Sequence, residues 1–252
     1  MDLTHKRILI TRPRARTEEF AKALLEEGAQ PVFFPVIEIA PLSDFAAFDY
    51  ALYNLDRYDW LVLTSIHAVE SFFNRLKVLG IKGLPKNLHV AAIGPKTAQW
   101  LSEHEVQPHF VPVEYSAEAI LSGLNGNIAG KRFLLPQSNL AREFLPKELR
   151  SAGGSVDEVV AYHTTLVQPD ASSLNILRAG VDVITFASPS SVKGFVHILD
   201  EYCLNRYNLP GDPLIACIGP VTAMALREAG FLVHVEAKEH TILGLITALK
   251  IA

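Results

Sequence analysis

The sequence predicts an α/β protein assembled from two copies of a parallel-sheet unit, and three observations carry that expectation. Short, near-continuous apolar runs alternate with segments of helical period along the whole chain, as in parallel strands covered by crossover helices on both faces. Landmarks of the first half return in the second at a nearly constant offset, the mark of an internal duplication. The stretches that follow the apolar runs are rich in Ser, Thr, Gly and Pro, the composition of turns that open into helices.

The repeat is explicit. Asp59-Trp60-Leu61-Val62-Leu63-Thr64-Ser65 is answered by Asp182-Val183-Ile184-Thr185-Phe186-Ala187-Ser188, 123 positions on. Ala92-Ile93-Gly94-Pro95-Lys96-Thr97-Ala98 is answered by Cys217-Ile218-Gly219-Pro220-Val221-Thr222-Ala223 at an offset of 125. Lys6-Arg7-Ile8-Leu9-Ile10, followed by Phe20 and Leu25, matches Lys131-Arg132-Phe133-Leu134-Leu135, followed by Phe144 and Leu149. In the first unit, strands are expected at about 7–11, 30–35, 60–64, 89–93 and 109–112; in the second, at about 132–135, 155–160, 182–186, 214–218 and 232–235. Helix boundaries come from Thr17 as cap with Gly28 past the end, from Asn139 ahead of 140–152 with Gly153 after, and from Gly230 closing 220–229.

An extra extended stretch follows the second strand of each unit, Val36 to Pro41 and Tyr162 to Pro169, and each is stopped by proline. Both read as linkers. The residues alone permit a plain tandem, or an exchange in which 1–35 and 170–252 make one lobe, 42–161 the other, and 36–41 with 162–169 a double hinge.

Composition narrows the function classes. The 252 residues are 49% hydrophobic and 20% charged, with 15 Gly and 15 Pro, so the chain is globular rather than disordered. A net charge of -4 lacks the basic excess of a nucleic-acid binder. The first apolar run is too short for a signal-peptide core, and no run approaches the roughly 18 apolar residues of a membrane span. No membrane association and a cytoplasmic location are therefore expected. The two cysteines, Cys203 and Cys217, and the nine histidines form no CxxC or HExxH pattern, so no metal is expected.

In open parallel sheets, ligands meet the carboxyl ends of the strands, where helix N-termini present backbone N–H groups and a positive dipole end. The segments there include 11–16, 64–67, 94–97, 136–139, 188–191 and 219–222. They carry hydroxyls and scattered cations but few acids, which suits anions; singly, each is also explained as an ordinary cap or tight turn. The substrate-binding candidates are Arg12, Thr64, Ser65, Lys96, Thr97, Arg142, Ser188, Ser190, Gly219 and Thr222. Arg12, Arg14 and Arg16 suit carboxylates because a guanidinium takes both oxygens, although Arg14 and Arg16 read more readily as a solvated cluster. Arg142, placed in the first turn of its helix, opposes the dipole unless an anion joins it; the alternative is a surface pair with Glu143 or Glu148. His67 and His163 read as polar loop or linker residues. Tyr162, on a linker strand beside the expected cleft, is a proton-donor candidate, since an ordinary phenol stays protonated at neutral pH; packing of the linker is the alternative. No triad, GxSxG elbow, Walker loop or GxGxxG is present.

Together, Ile8 to Pro13, Leu63 to Val69, Ala91 to Ala98, Leu134-Leu135-Pro136 with Arg142, Ala161 to Thr164, Ser188 to Val192 and Ile218 to Ala223 resemble bacterial uroporphyrinogen-III synthases, over about residues 7–249. The resemblance implies the exchanged arrangement, with two flavodoxin-like lobes joined by a two-stranded linker. It implies the substrate hydroxymethylbilane, a linear tetrapyrrole with eight carboxylates, and the product uroporphyrinogen III. The terminal hydroxyl leaves, an azafulvene forms, and attack through a spiro intermediate inverts ring D, with no cofactor. Tyr162 matches the linker tyrosine proposed to assist departure of the hydroxyl, while the Asn usual in the first Ser-containing loop is His67 here. A cytoplasmic monomer is implied, with transient hand-over from hydroxymethylbilane synthase. Two other classes stand beside it. One is a noncatalytic module binding tetrapyrrole or another polycarboxylate; the other is a bilobed nucleotide-sugar transferase, which needs a longer chain and a diphosphate site.

Overall fold

In each half of the chain an aspartate just ahead of a central strand ties down the start of the neighbouring strand. Asp182 accepts from Lys6 Nζ at 2.9 Å and from the Arg7 amide at 2.8 Å. Its own amide donates to the Arg7 carbonyl. Asp59 repeats the arrangement with Lys131 at 2.8 Å and the Arg132 amide at 2.9 Å, and its amide donates to the Arg132 carbonyl. These clamps are seen in a computed structural model that describes residues 1–13, 17–113, 117–124 and 128–252. The chain divides into two compact units, Met1–Ile39 with Thr165–Ala252, and Ala40–Thr164.

The first unit holds a five-stranded sheet of order β10-β9-β8-β1-β2, made of β1 (Arg7–Ile10), β2 (Gln30–Phe33), β8 (Val183–Phe186), β9 (Leu214–Cys217) and β10 (Val235–Glu236). β1 lies parallel between β2 and β8, with Leu9 opposite Val32 and Ile184. Its continuous apolar character follows from burial on both faces, because successive side chains point to opposite sides. Leu9 joins Phe34, Ile184, Phe186 and Phe195 in one core, while Ile8 and Ile10 join Phe20, Leu24, Val183 and Leu245 in the other. The helices α1 (Glu18–Glu26), α7 (Ala171–Arg178), α8 (Pro189–Glu201), α9 (Pro220–Glu228) and α10 (Ile242–Ile251) supply the covering layers. Buried hydroxyls close the seam between β1 and β8: Thr11 donates to the Thr185 carbonyl at 2.7 Å, and Thr185 to the Leu9 carbonyl at 2.8 Å.

The second sheet has the order β3-β7-β6-β4-β5, from β3 (Ile37–Ala40), β4 (Trp60–Leu63), β5 (His89–Ala92), β6 (Arg132–Ser138) and β7 (Ser155–Leu166). The pairs β4–β5, β4–β6 and β6–β7 are parallel. Its helices are α2 (Ala46–Tyr53), α3 (Ile66–Leu79), α4 (Pro95–Glu103), α5 (Ala117–Gly123) and α6 (Phe144–Ser151). The stretches expected as linkers are strands: β3 occupies the first and the end of β7 the second, each ending short of its proline. Both connections between the units therefore run through extended backbone.

Several expectations need correction. Residues 109–112 form no strand, only a bridge between Ala91 and Phe110, and 232–235 shrink to the two residues of β10. The reason is repeated in both units. His109 Nδ1 takes the Val90 amide at 3.1 Å, and His234 Nδ1 takes the Ile215 amide at 2.9 Å. An imidazole thus occupies a donor that a full ladder would need. The helix expected from residue 140 starts only at Phe144, because β6 continues to Ser138 and a turn follows. Thr17 flanks α1, but its hydroxyl donates to the Pro13 carbonyl instead of capping the helix.

The two clamps make a pH-dependent prediction. The Lys131 ammonium and the Arg132 amide hold Asp59 below the ordinary carboxylate value. Burial opposes, but Lys6 and the Arg7 amide outweigh it and hold Asp182 low as well. A depressed carboxyl stabilises the fold above its unfolded value near 3.9, and that contribution disappears as pH falls through the lower folded value. Asp182→Ala should cost about 1 kcal/mol at neutral pH after discounting for solvent exposure, and should flatten the acid limb below about pH 4. Lys6→Met, which leaves the backbone bond intact, should cost less than about 0.5 kcal/mol. Urea unfolding at several pH values checks both.

Candidate functional site

The strand ends that bear the candidate residues form matching sets in the two units. β4 leads into α3 through Thr64 and the cap Ser65, and β8 leads into α8 through the cap Ser188. Both serines are extended, and each side chain accepts from the third residue on, Ala68 at 3.0 Å and Ser191 at 3.2 Å. Ser190 does not cap; its hydroxyl hydrogen-bonds to that of Ser188 at 2.9 Å.

The next helix starts differ. Gly94 and Gly219 precede Pro95 and Pro220, and no side chain caps α4 or α9. Glycine and proline together leave both helix N-termini without a side-chain cap, so their first-turn amides keep no side-chain acceptor. Thr97 and Thr222 sit in the first turn and are 4% and 3% exposed, yet neither hydroxyl has a hydrogen-bond partner among the described residues. Gly219 is extended, so its backbone does not demand glycine; space does. A Cβ there would stand 2.6 Å from His240 Cδ2. The loop before α10 thus packs against the start of α9.

The cations are scattered. Arg12 follows β1 and is half-buried, while Lys96 is exposed on the first turn of α4. Arg14 and Arg16 lie outside the described residues. Arg142 is not in a helix: it precedes α6, pairs with Glu118 at 3.6 Å and lies over the Phe144 ring. The argument from an unfavourable dipole therefore falls away for Arg142. Among the described residues, no group of three or more His, Cys, Asp or Glu side chains is arranged to hold a metal, and no helix is long and apolar enough to cross a membrane.

Tyr162 lies within β7 and is 8% exposed. Its hydroxyl meets Ser65 Oγ at 3.0 Å. Burial pushes the phenol above its ordinary value, and the Ser65 hydrogen bond opposes that rise. Because Ser65 Oγ already accepts from the Ala68 amide, its own proton can point to the tyrosine oxygen, leaving the phenolic proton for a ligand. Ser65 thus supports Tyr162. Nearby, Ser138 and Thr164 share a hydroxyl hydrogen bond of 2.8 Å, and the Thr164 amide donates to Asn139 Oδ1.

His67 is on α3 rather than in a loop; its ring lies 5.6 Å from that of Tyr162, and its Nδ1 is 3.3 Å from Glu70. Sequence reasoning missed this pair. The three-residue spacing from His67 to Glu70 would have shown it once the helix was begun at Ile66.

The folds and helix starts define a class: two parallel α/β units, each presenting hydroxyls and uncapped helix N-termini suited to an anionic ligand. Comparisons specify it. The family model for uroporphyrinogen-III synthase HemD matches residues 18–247. The uroporphyrinogen-III synthase of Synechococcus elongatus is 31% identical over 98% of this chain and 96% of its own length. That of Chlorobaculum parvum is 27% identical over 91% and 92%. A variant of the Thermus thermophilus enzyme superposes with a TM-score of 0.73 at 21% identity, covering 97% of each chain. The Helicobacter pylori enzyme superposes with a TM-score of 0.60 at 20% identity, covering 98% of this chain and 100% of its own. The chain belongs to the uroporphyrinogen-III synthase family, enzymes of tetrapyrrole biosynthesis.

Ser65→Ala should remove the α3 cap and cost about 1 kcal/mol of stability. Ser188→Ala should cost a similar amount through α8, although only Ser65 also supports a tyrosine. Thermal unfolding of the two variants, with tyrosine absorbance titrated in parallel, tests this: only Ser65→Ala should raise the Tyr162 titration further.

Proposed function

We propose that the chain cyclises hydroxymethylbilane to uroporphyrinogen III, and that Tyr162 is the proton donor. The observation that carries this reading is the buried Tyr162 hydroxyl held at 3.0 Å by the serine that caps α3. In the proposed step the phenolic proton passes to the terminal hydroxyl, the C–O bond breaks and water leaves. The pyrrole nitrogen lone pair supplies the electrons for the azafulvene. Ser65 donates to the phenolate that forms. The substituted α-carbon of ring D attacks the azafulvene methylene to give the spiro intermediate, and its bond to the ring C methylene breaks. The free α-carbon of ring D then bonds to that methylene and loses its proton, which restores the phenol.

Loss of hydroxide from an electron-rich pyrrole is intrinsically easy, so the larger demand on the protein is to hold a flexible octa-anion in one conformation. The uncapped starts of α4 and α9, with the Thr97 and Thr222 hydroxyls that have no hydrogen-bond partner among the described residues, are suited to carboxylates without a large cationic excess. Thr64, Ser188, Ser190 and the backbone of Gly219 supply further donors, and Arg12, Lys96 and Arg142 supply positive charge. The extended connections around β3 and the end of β7 act as hinges. The reading includes no cofactor. A free bilane closes without inversion, which favours hand-over from hydroxymethylbilane synthase to a monomeric enzyme in the cytoplasm.

Purified protein given hydroxymethylbilane, without added metal or nucleotide, should yield mainly the type III isomer. Only the uninverted isomer, at the uncatalysed rate, would overturn the proposal. Tyr162→Phe should lower single-turnover rate at least about tenfold, less than the roughly 100- to 10,000-fold of a positioned general acid because loss of the hydroxyl is intrinsically easy, with the isomer ratio kept. Thr97→Ala and Thr222→Ala should act on KM more than on kcat.

A further inference from the structure

Tyr162 has a second neighbour besides Ser65. The His67 ring is tilted 54° to the tyrosine ring at a centroid distance of 5.6 Å, and its Nδ1 is 3.3 Å from Glu70 Oε2. Both residues lie in the first turns of α3, whose cap is Ser65. The His67 and Glu70 side chains are 25% and 35% exposed, enough for protons to exchange with solvent while the pair stays in place. Among the described residues, the ionisable groups set against the imidazole include Glu70 on α3 and Tyr162 on β7.

Chemistry gives the pair a direction. A carboxylate beside an imidazole favours its protonated form, and a cation a few ångströms from a phenol favours the phenolate. The protonated ring is also attracted to the tyrosine face, which restrains the phenol. When Tyr162 gives up its proton, negative charge develops on Oη, where Ser65 is the hydrogen-bond donor and the imidazolium is the near positive charge.

We propose that His67, held by Glu70, is a positioning residue that fixes the Tyr162 ring and, when protonated, favours proton transfer from it. The inference rests on the proton-donor reading of Tyr162 and adds a titrating group to it. The proton given to the substrate remains that of the phenol; the imidazolium keeps its own, so the step balances as before.

The test is the pH dependence of single-turnover rate between about pH 5 and 8, the range in which an imidazole titrates, for the wild type, His67→Asn, Glu70→Gln and Tyr162→Phe. The wild-type rate should fall as pH rises through the imidazole titration. His67→Asn should lose that limb and run about three- to tenfold slower near pH 7, with substrate affinity within about twofold. Glu70→Gln should move the limb to lower pH, because the imidazolium loses its partner carboxylate; this variant changes one partly exposed side chain and serves should His67→Asn fold poorly. A wild-type pH profile in folded His67→Asn, or a limb that does not move in Glu70→Gln, would overturn the inference. Should Tyr162→Phe be slow while those profiles stay unchanged, the inference alone fails; should Tyr162→Phe turn over like wild type, the proton-donor reading fails and takes the inference with it.

Discussion

The Asp182 carboxylate is the constraint from which the rest of the architecture follows. By holding Lys6 and the Arg7 amide across 175 positions of sequence, it places the amino-terminal strand against β8, in register with Thr185 and Ile184. The duplicated chain offers an alternative partner, since Asp59 heads the equivalent strand of the first repeat. Asp59 is instead engaged by Lys131 and Arg132. Each aspartate therefore serves the strand that opens the other repeat. Because Asp182 bonds to a backbone amide as well as to an ammonium, the contact specifies register and not merely charge. The buried Thr11 and Thr185 hydroxyls reinforce the seam where an unpaired polar group would be costly.

In each unit, the carboxyl ends of the strands lead into helix starts that carry hydroxyls. In the proposed reaction, helix starts and hydroxyls hold the substrate and Tyr162 is the acid. Serine caps α3 and α8, whereas α4 and α9 are left uncapped behind Gly-Pro, and the threonine hydroxyls of their first turns have no hydrogen-bond partner among the described residues. Capped helix starts contribute to the stability of the scaffold, whereas uncapped ones leave first-turn amides without a side-chain acceptor. A reaction whose difficulty is conformational needs such placement more than a strongly perturbed acid or base.

Much of this was legible in the residues. The strand-helix alternation and the duplication appear directly, because burial on both faces makes parallel strands uniformly apolar and repeats preserve their landmarks. The cap serines and Gly-Pro turns were equally visible, since local backbone geometry selects those residue types. What escaped was tertiary. Nothing local distinguishes Asp182 clamping Lys6 from Asp182 as a surface charge, nor says that His109 and His234 would occupy amides at the sheet edge. Asn139 looks like a cap and so puts Arg142 in a helix, but Asn139 Oδ1 is taken by the Thr164 amide and the strand runs on to Ser138. In sequence Ser65 reads as a ligand group; its contact with Tyr162 depends on β7 passing beside α3, which spacing alone does not encode.

The central claim is that the amino-terminal strand is an integral part of the unit completed by the carboxyl-terminal half. Native-state hydrogen exchange on Leu245→Ala tests it most directly. Leu245 is fully buried in the core that also contains Ile8 and Ile10, and its truncation should cost about 2–5 kcal/mol. The account predicts that the amides of β1 lose protection together with those of β8 and to the same extent, while those of β4 and β5 keep theirs. Amides of β1 that kept their protection with β4 and β5 while β8 lost its own would contradict it.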